Sequence, residues 1–170
     1  MIPLDEARQY VLDRVARLGS ARVPLADAAG RVLAANVVAA EQVPPFANTA
    51  MDGFAVRAAD VASVPVTLEV VGTVAAGSTL DSEVGPGQAA RIMTGAPMPN
   101  GADAVVMVEK TTLDEAAGRV LIDLSVSEGN HVRRAGEDVE PGDLLFAAGT
   151  VLTAGHLGVL ASVGVQEVEC

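Results

Sequence analysis

The sequence predicts a mainly β fold with a few helices, an α+β chain large enough for one ordinary domain or two small ones. Half of its 170 residues are hydrophobic, yet it has only three Phe, one Tyr and no Trp, so Val, Leu, Ile and Ala must form the core. Valine-rich segments favour strands. Short strand-like runs recur every ten to fifteen residues between Gly, Pro and Asn, and helical spacing of apolar residues occurs only near the two ends.

The first predicted element is an amphipathic helix that begins near Pro3 and ends at Gly19. Its apolar residues recur at spacings of three and four, on one face: Leu4, Ala7, Val11, Val15 and Leu18. A helix of about 15 residues is only marginally stable alone in water. We therefore expect this apolar stripe to dock on another surface.

Strands are predicted for most of the remaining chain, and their turn-rich spacing indicates a small barrel or sandwich across roughly 45–128. The β-capable runs are 31–40, 66–71, 89–93, 104–109, 119–124 and 165–169. Between the last two runs, Thr153 could cap a second helix that Gly164 ends. The chain finishes inside its last predicted strand, which suggests a truncated protein.

The net charge of −11, with Lys110 as the only lysine, excludes binding to a nucleic-acid backbone. Residues 45–130 carry four basic and eleven acidic side chains, whereas residues 1–44 are neutral, which hints at a separate module. The more ordinary interpretation of this charge is a solvated acidic surface that keeps the protein soluble. The one cysteine, Cys170, excludes a disulfide framework. No secretory signal or long apolar run is present, so we expect a cytoplasmic protein without membrane contact.

Three polar segments could carry chemistry. In residues 44–57, Asp52-Gly53 is either a tight hairpin turn or a carboxylate suited to a metal or a water. In residues 91–103, Thr94-Gly95 is either an ordinary turn or a hydroxyl and an exposed backbone N–H that hold an anionic oxygen.

The third segment, residues 129–138, places Arg133 and Arg134 just before Glu137 and Asp138. These side chains form either a surface ion-pair cluster or an anion-binding pair beside a metal-binding carboxylate. His131 has no partner at metal-ligand spacing, so a surface or hydrogen-bonded role is expected for it. For His156, on the second predicted helix, we expect a structural role.

Four motifs in series resemble the MoeA-type molybdopterin molybdenumtransferases, which are related to the gephyrin E domain. They read PPFANTAMDGFAVRAAD, RIMTGAPMPNGADAVVMVE, NHVRRAGEDVEPGDLL and GTVLTAGHLGVLASVGV, and LADAAGRVLAANVVA near the start also fits. The resemblance covers nearly the whole chain and matches the N-terminal portion of that family. It implies a discontinuous first domain (1–44 plus 129–170), a β-rich, barrel-like domain inserted at 45–128, and no counterpart here of the family's third and fourth domains.

The resemblance also implies an activity, the insertion of molybdate into adenylylated molybdopterin with Mg²⁺-dependent release of AMP. It further implies a homodimer that receives its substrate from a molybdopterin adenylyltransferase, and a 170-residue chain that is inactive by itself. Matched positions give three catalytic residues, with the first and last also proposed as metal ligands: Asp52, Thr94 and Asp138. The implied substrate-binding residues are Gly53, Gly95, Arg133 and Arg134.

Phe54 stands where members of that family often have Tyr, a loss of one hydroxyl.

Two other functions stay open at this point. One is a non-catalytic dimerisation or scaffold module, which an exposed apolar patch without metal affinity would favour. The other is an unrelated divalent-metal-binding β-protein, which metal affinity without pterin binding would favour.

Overall fold

The computed structural model describes residues 2–16, 18–80 and 82–170. The chain divides into two compact units, residues 1–38 with 144–170 and residues 39–143. These boundaries differ from the predicted ones at 44 and 129, because both flanking segments pair within the second unit. The Val43 N–H donates to the Val139 carbonyl at 2.9 Å, and Val132 pairs with Thr49.

The structure has two α-helices, twelve short strands and three 3₁₀ turns among the described residues. The predicted mainly β fold is therefore confirmed. The helices are α1 (Leu4–Leu12) and α2 (Ala154–Ser162), and the 3₁₀ turns are Leu25–Asp27, Ala58–Val61 and Val108–Lys110. The strands are β1 (Arg22–Pro24), β2 (Val37–Val38), β3 (Asn48–Thr49), β4 (Gly53–Val56), β5 (Val66–Val74), β6 (Gln88–Ile92), β7 (Ala104–Met107), β8 (Thr111–Asp114), β9 (Arg119–Ile122), β10 (Val132–Arg133), β11 (Leu144–Phe146) and β12 (Glu167–Glu169).

A curled six-stranded sheet in the order β7-β4-β6-β5-β9-β8 forms the centre of the second unit. All its neighbours are antiparallel except β5 and β6, which are parallel. Side chains alternate between two cores, one containing Phe54 and Val56 and the other containing Ala55 and Ile92. All four residues of β4 are buried, because this strand has a neighbour on each side and a core on each face.

The first unit has its own small core, formed where β1 pairs with β12 in antiparallel register. Val23, Leu33, Leu160 and Val168 are buried there. The predicted strand at 31–40 is largely wrong, since only an isolated bridge at Val32 and the two residues of β2 lie in it.

Helix α1 is shorter than predicted, since it ends at Leu12 rather than near Gly19. None of its residues is buried, and Leu4 and Val11 are 83% and 57% exposed. An apolar stripe stabilises a helix only when it packs, so the periodicity alone did not determine the length of α1. Arg17, within the predicted helix, lies outside the described residues. Neither helix of the described chain is long and apolar enough to cross a membrane.

Candidate functional site

Strand β3 brings the three polar segments together within the second unit. On one side, the Thr49 N–H donates to the Ala96 carbonyl at 3.1 Å, and the Gly95 N–H donates to the Thr49 carbonyl at 2.9 Å. On the other side β3 pairs with β10, and the Ala50 N–H donates to the His131 carbonyl at 2.9 Å. Segments that are far apart in the sequence thus meet on a strand of two residues.

Asp52 and Thr94 are in direct contact at this junction. One carboxylate oxygen, Oδ1 of Asp52, accepts the Thr94 hydroxyl at 2.6 Å and the Thr94 backbone N–H at 2.7 Å. The hydroxyl hydrogen bond, then the backbone hydrogen bond, and finally the charge of Arg91 hold the pKa of Asp52 below its usual value. Asp52 is therefore an exposed, ionised carboxylate at neutral pH. Its Oδ2 accepts no hydrogen bond from the residues described.

The predicted hairpin turn at Asp52-Gly53 is wrong. Gly53 is the first residue of β4, and its φ is not positive. An added Cβ would lie 2.0 Å from the Val106 carbonyl oxygen and 3.1 Å from the Met107 Cα. Glycine is required here because the backbone of β7 approaches too closely for any side chain.

The hydroxyl and backbone N–H of Thr94 do hold an anionic oxygen, which is Oδ1 of Asp52. The Thr94 N–H is donated to Asp52, and the Gly95 N–H is donated to Thr49. Gly95 has a φ of 78°, and no heavy atom lies within 4 Å of its missing side chain. This glycine therefore serves a left-handed turn that aims Thr94 at the carboxylate.

Residues 129–138 form a surface ion pair, which was one of the two interpretations of this segment. Arg133 contacts the Asp138 carboxylate at 2.5 Å, and the two side chains are 40% and 52% exposed. The Arg134 N–H donates to Glu137 at 2.8 Å, while the Arg134 guanidinium lies outside every ion pair found among described residues. Within the described ranges, no group of three or more His, Cys, Asp or Glu side chains is placed to hold a metal.

Two residues of this site were missed by the sequence analysis. Thr49 is only 1% exposed, and Arg91 lies on β6 beside Phe54, close enough to Asp52 for its charge to lower that pKa. Neighbouring residues of a strand face opposite sides of the sheet, so the apolar Ile92 indicated that Arg91 would lie on the other face. Nothing in the sequence indicated that Thr49 would contact both neighbouring segments.

Each of the two histidines accepts a hydrogen bond from a backbone N–H, His131 through its carbonyl and His156 through its ring. His131 is the one described non-glycine residue with a positive φ, 55°, and its carbonyl accepts the Ala50 N–H. His156 accepts the Thr153 N–H on Nδ1 at 3.0 Å at the start of α2, so it stabilises that helix end. Thr153 precedes α2 as predicted.

Comparison with known proteins gives consistent matches along the chain. Residues 2–164 match the family model of the MoeA N-terminal region, domains I and II. Relatives named molybdopterin molybdenumtransferase include those of Bacillus subtilis (40% identity, covering 98% of this chain and 40% of the relative) and Haemophilus influenzae (39% identity, 100% and 42%). This chain therefore spans about two-fifths of the length of these curated relatives.

A solved structure of a molybdopterin biosynthesis MoeA protein from Pyrococcus horikoshii OT3 matches with a TM-score of 0.92 at 33% identity. The match covers 99% of this chain and 45% of that one. The agreement of family model, relatives and fold extends over both units. The chain belongs to the family of the MoeA N-terminal region, which comprises domains I and II.

Proposed function

We propose that this chain acts in molybdenum-cofactor biosynthesis, as the part of a molybdopterin molybdenumtransferase that supplies an activated carboxylate to the reaction site. The observation that carries the proposal is the Asp52–Thr94 pair, in which one carboxylate oxygen is fixed by two hydrogen bonds and the other accepts none from the part of the chain that the structure describes. A carboxylate that is held ionised in this way can accept a hydrogen bond from a hydroxyl or a water, or it can bind a cation.

The proposed substrates are adenylylated molybdopterin and molybdate, and the proposed reaction releases AMP as molybdate is inserted. In its hydrolytic step, water adds to the adenylate phosphorus as the bond from that phosphorus to the bridging oxygen breaks. AMP is released with the oxygen of the water, the molybdopterin phosphate keeps the bridging oxygen, and the protons of the water pass to solvent. Oδ2 of Asp52 would accept a hydrogen bond from that water and orient it. Arg91, whose charge already lowers the pKa of Asp52, is the cation we propose for contact with the anionic substrates; Arg134 is a second candidate, and Arg133 would first have to leave Asp138.

Magnesium fits this site through Asp52 rather than through Asp138. Mg²⁺ is commonly held by one or two carboxylates together with water and substrate phosphates, so a single free carboxylate oxygen is a sufficient protein ligand. Asp138 would first have to release Arg133, which it contacts at 2.5 Å. The ion would supply positive charge between the Asp52 carboxylate and the phosphate.

The proposed assembly is a homodimer that receives its substrate from a molybdopterin adenylyltransferase. The exposed apolar residues of α1 support self-association, since Leu4 is 83% exposed and Val11 57%. A two-fold contact would reuse this surface on both copies. Sedimentation that shows only monomer at high micromolar concentration would contradict association through this chain.

The catalytic proposal is tested in a chimaera in which residues 2–164 replace the matching region of the Bacillus subtilis relative. Asp52→Asn should reduce AMP release about a hundredfold, as expected when a group that acts in the transition state is lost. Asp114→Asn is the matched control, because Asp114 is exposed and accepts a backbone N–H at 3.0 Å in a turn of the same unit. Equal activity of both variants would refute a chemical role for Asp52.

The 170-residue chain by itself should show no turnover under the same conditions. Turnover comparable with that of the Bacillus subtilis relative would contradict the proposal that this chain supplies only part of the reaction site.

A further inference from the structure

We propose that Thr49 is a positioning residue, whose buried hydroxyl fixes the backbone before Asp52 and so keeps that carboxylate against Thr94. Thr49 and Asn48 are the only buried polar residues among those the structure describes. A buried hydroxyl is retained where its hydrogen bonds are specific. The catalytic consequence of this inference rests on the proposed function, whereas the positioning itself does not.

The hydroxyl of Thr49 satisfies both backbone groups of Met51. It donates to the Met51 carbonyl at 2.7 Å and accepts the Met51 N–H at 3.1 Å. Neither Met51 group has another hydrogen-bond partner among the residues described. Met51 lies outside the regular strands, so the hydroxyl replaces the ladder that would otherwise set its conformation.

The backbone of Thr49 fixes the other half of the Asp52–Thr94 pair. Its carbonyl accepts the Gly95 N–H and its N–H reaches the Ala96 carbonyl, which holds the turn directly after Thr94. The contacts therefore form a closed ring that runs from Thr49 through Met51, Asp52, Thr94 and Gly95 back to Thr49. The hydroxyl is the side-chain link of this ring on the Asp52 side.

Valine is the informative replacement because it keeps the branched shape of threonine and removes only the hydroxyl. The Thr49 backbone bonds can persist in Thr49→Val, but the Met51 N–H and carbonyl lose their partners. The segment that carries Asp52 is then free to move relative to Thr94. Thr49→Ser restores the hydroxyl without the methyl group and is the matched control.

The test is amide hydrogen exchange of Thr94, measured by NMR in the 170-residue chain at constant pH. Loss of the hydroxyl should speed exchange of the Thr94 amide by about tenfold in Thr49→Val, with Thr49→Ser within about twofold of wild type. Exchange at Ala55, within β4, reports global opening and should not change. Thr49→Ala repeats the measurement if the valine variant does not fold. Unchanged Thr94 exchange without the hydroxyl, or a serine variant that behaves like valine, overturns the inference.

The same variants in the Bacillus subtilis chimaera separate positioning from stability. Thr49→Val should lower kcat about tenfold or more with KM within about threefold, and Thr49→Ser should restore kcat. A normal kcat in Thr49→Val would overturn the catalytic part of the inference. An inactive wild-type chimaera would count against the proposed function and would leave the exchange result standing.

Discussion

Replacing Gly53 by alanine should force β4 away from β7. The added Cβ would lie 2.0 Å from the Val106 carbonyl oxygen and 2.9 Å from its carbonyl carbon. Real Cβ atoms do not approach backbone that closely, so one of the two strands must move. β4 is the strand that pairs with both β6 and β7, and its four residues are buried, so a shift there disturbs the two cores that flank it.

The expected loss in the free energy of unfolding is about 3 kcal/mol, at the upper end for overpacking because backbone rather than side chain must yield. Gly72→Ala is the matched control within the same sheet. The Cβ of that alanine would meet Leu80 Cδ1 at 2.6 Å, the movable end of a side chain, and its cost should stay within about 1 kcal/mol.

Urea unfolding followed by far-UV circular dichroism measures both variants, since the chain has no Trp to serve as a fluorescence probe. Amide exchange in β4 and β7 would locate the effect in this unit, because the two units of the chain need not unfold together. A Gly53→Ala protein within about 0.5 kcal/mol of wild type, or no less stable than Gly72→Ala, would refute the explanation of Gly53 by close strand approach.

Three further outcomes are expected. The lowered pKa of Asp52 means that its hydrogen bonds stabilise the fold above the unfolded-state pKa of about 3.9 and cease to do so as the pH falls through the lower folded value. The difference in urea midpoint between wild type and Asp52→Asn should therefore shrink from pH 6 to pH 2, and a constant difference would contradict this. Arg133→Gln should change the free energy of unfolding by no more than about 0.5 kcal/mol, because its ion pair is exposed; a loss above about 1.5 kcal/mol in urea unfolding would show a buried role. His156→Ala should lower stability by about 1 kcal/mol in the same assay, whereas His156→Gln, which keeps an acceptor at the start of α2, should lose less.

Local patterns in the sequence predicted four strands of the large sheet, β5, β6, β7 and β9, but not β4 or β8, and not the arrangement of the strands. The alternation at Val66, Leu68 and Val70 follows from a strand with one face in a core, and β5 begins there. The parallel pairing of β5 with β6 depends on contacts that no local window contains. The first helix was predicted too long for a similar reason. Periodicity indicates an apolar face, but it does not show whether another surface covers that face.

The candidate site shows a comparable division. The family resemblance implied catalytic roles for Asp52 and Thr94, and the structure places the two residues in contact through two hydrogen bonds. The interpretation of Asp52-Gly53 as a turn was wrong because it considered only neighbours in the sequence. Gly53 is needed for its distance to Val106, a residue on another strand. Thr49 was missed because its partners are backbone groups, which every residue possesses.

The negative charge of the chain is concentrated in one of its two units. Residues 39–143 carry sixteen acidic and six basic side chains, against six and five in the other unit, so the excess negative charge lies in the unit that holds Asp52. Phosphate and molybdate would be repelled by such a surface at long range. Of the six basic residues in this unit, Arg91 is close enough to Asp52 to lower the pKa of that carboxyl, whereas Arg133 is paired with Asp138. Under the proposed function, an ionised Asp52 could therefore face a phosphate only with a cation to offset the repulsion between the two anions.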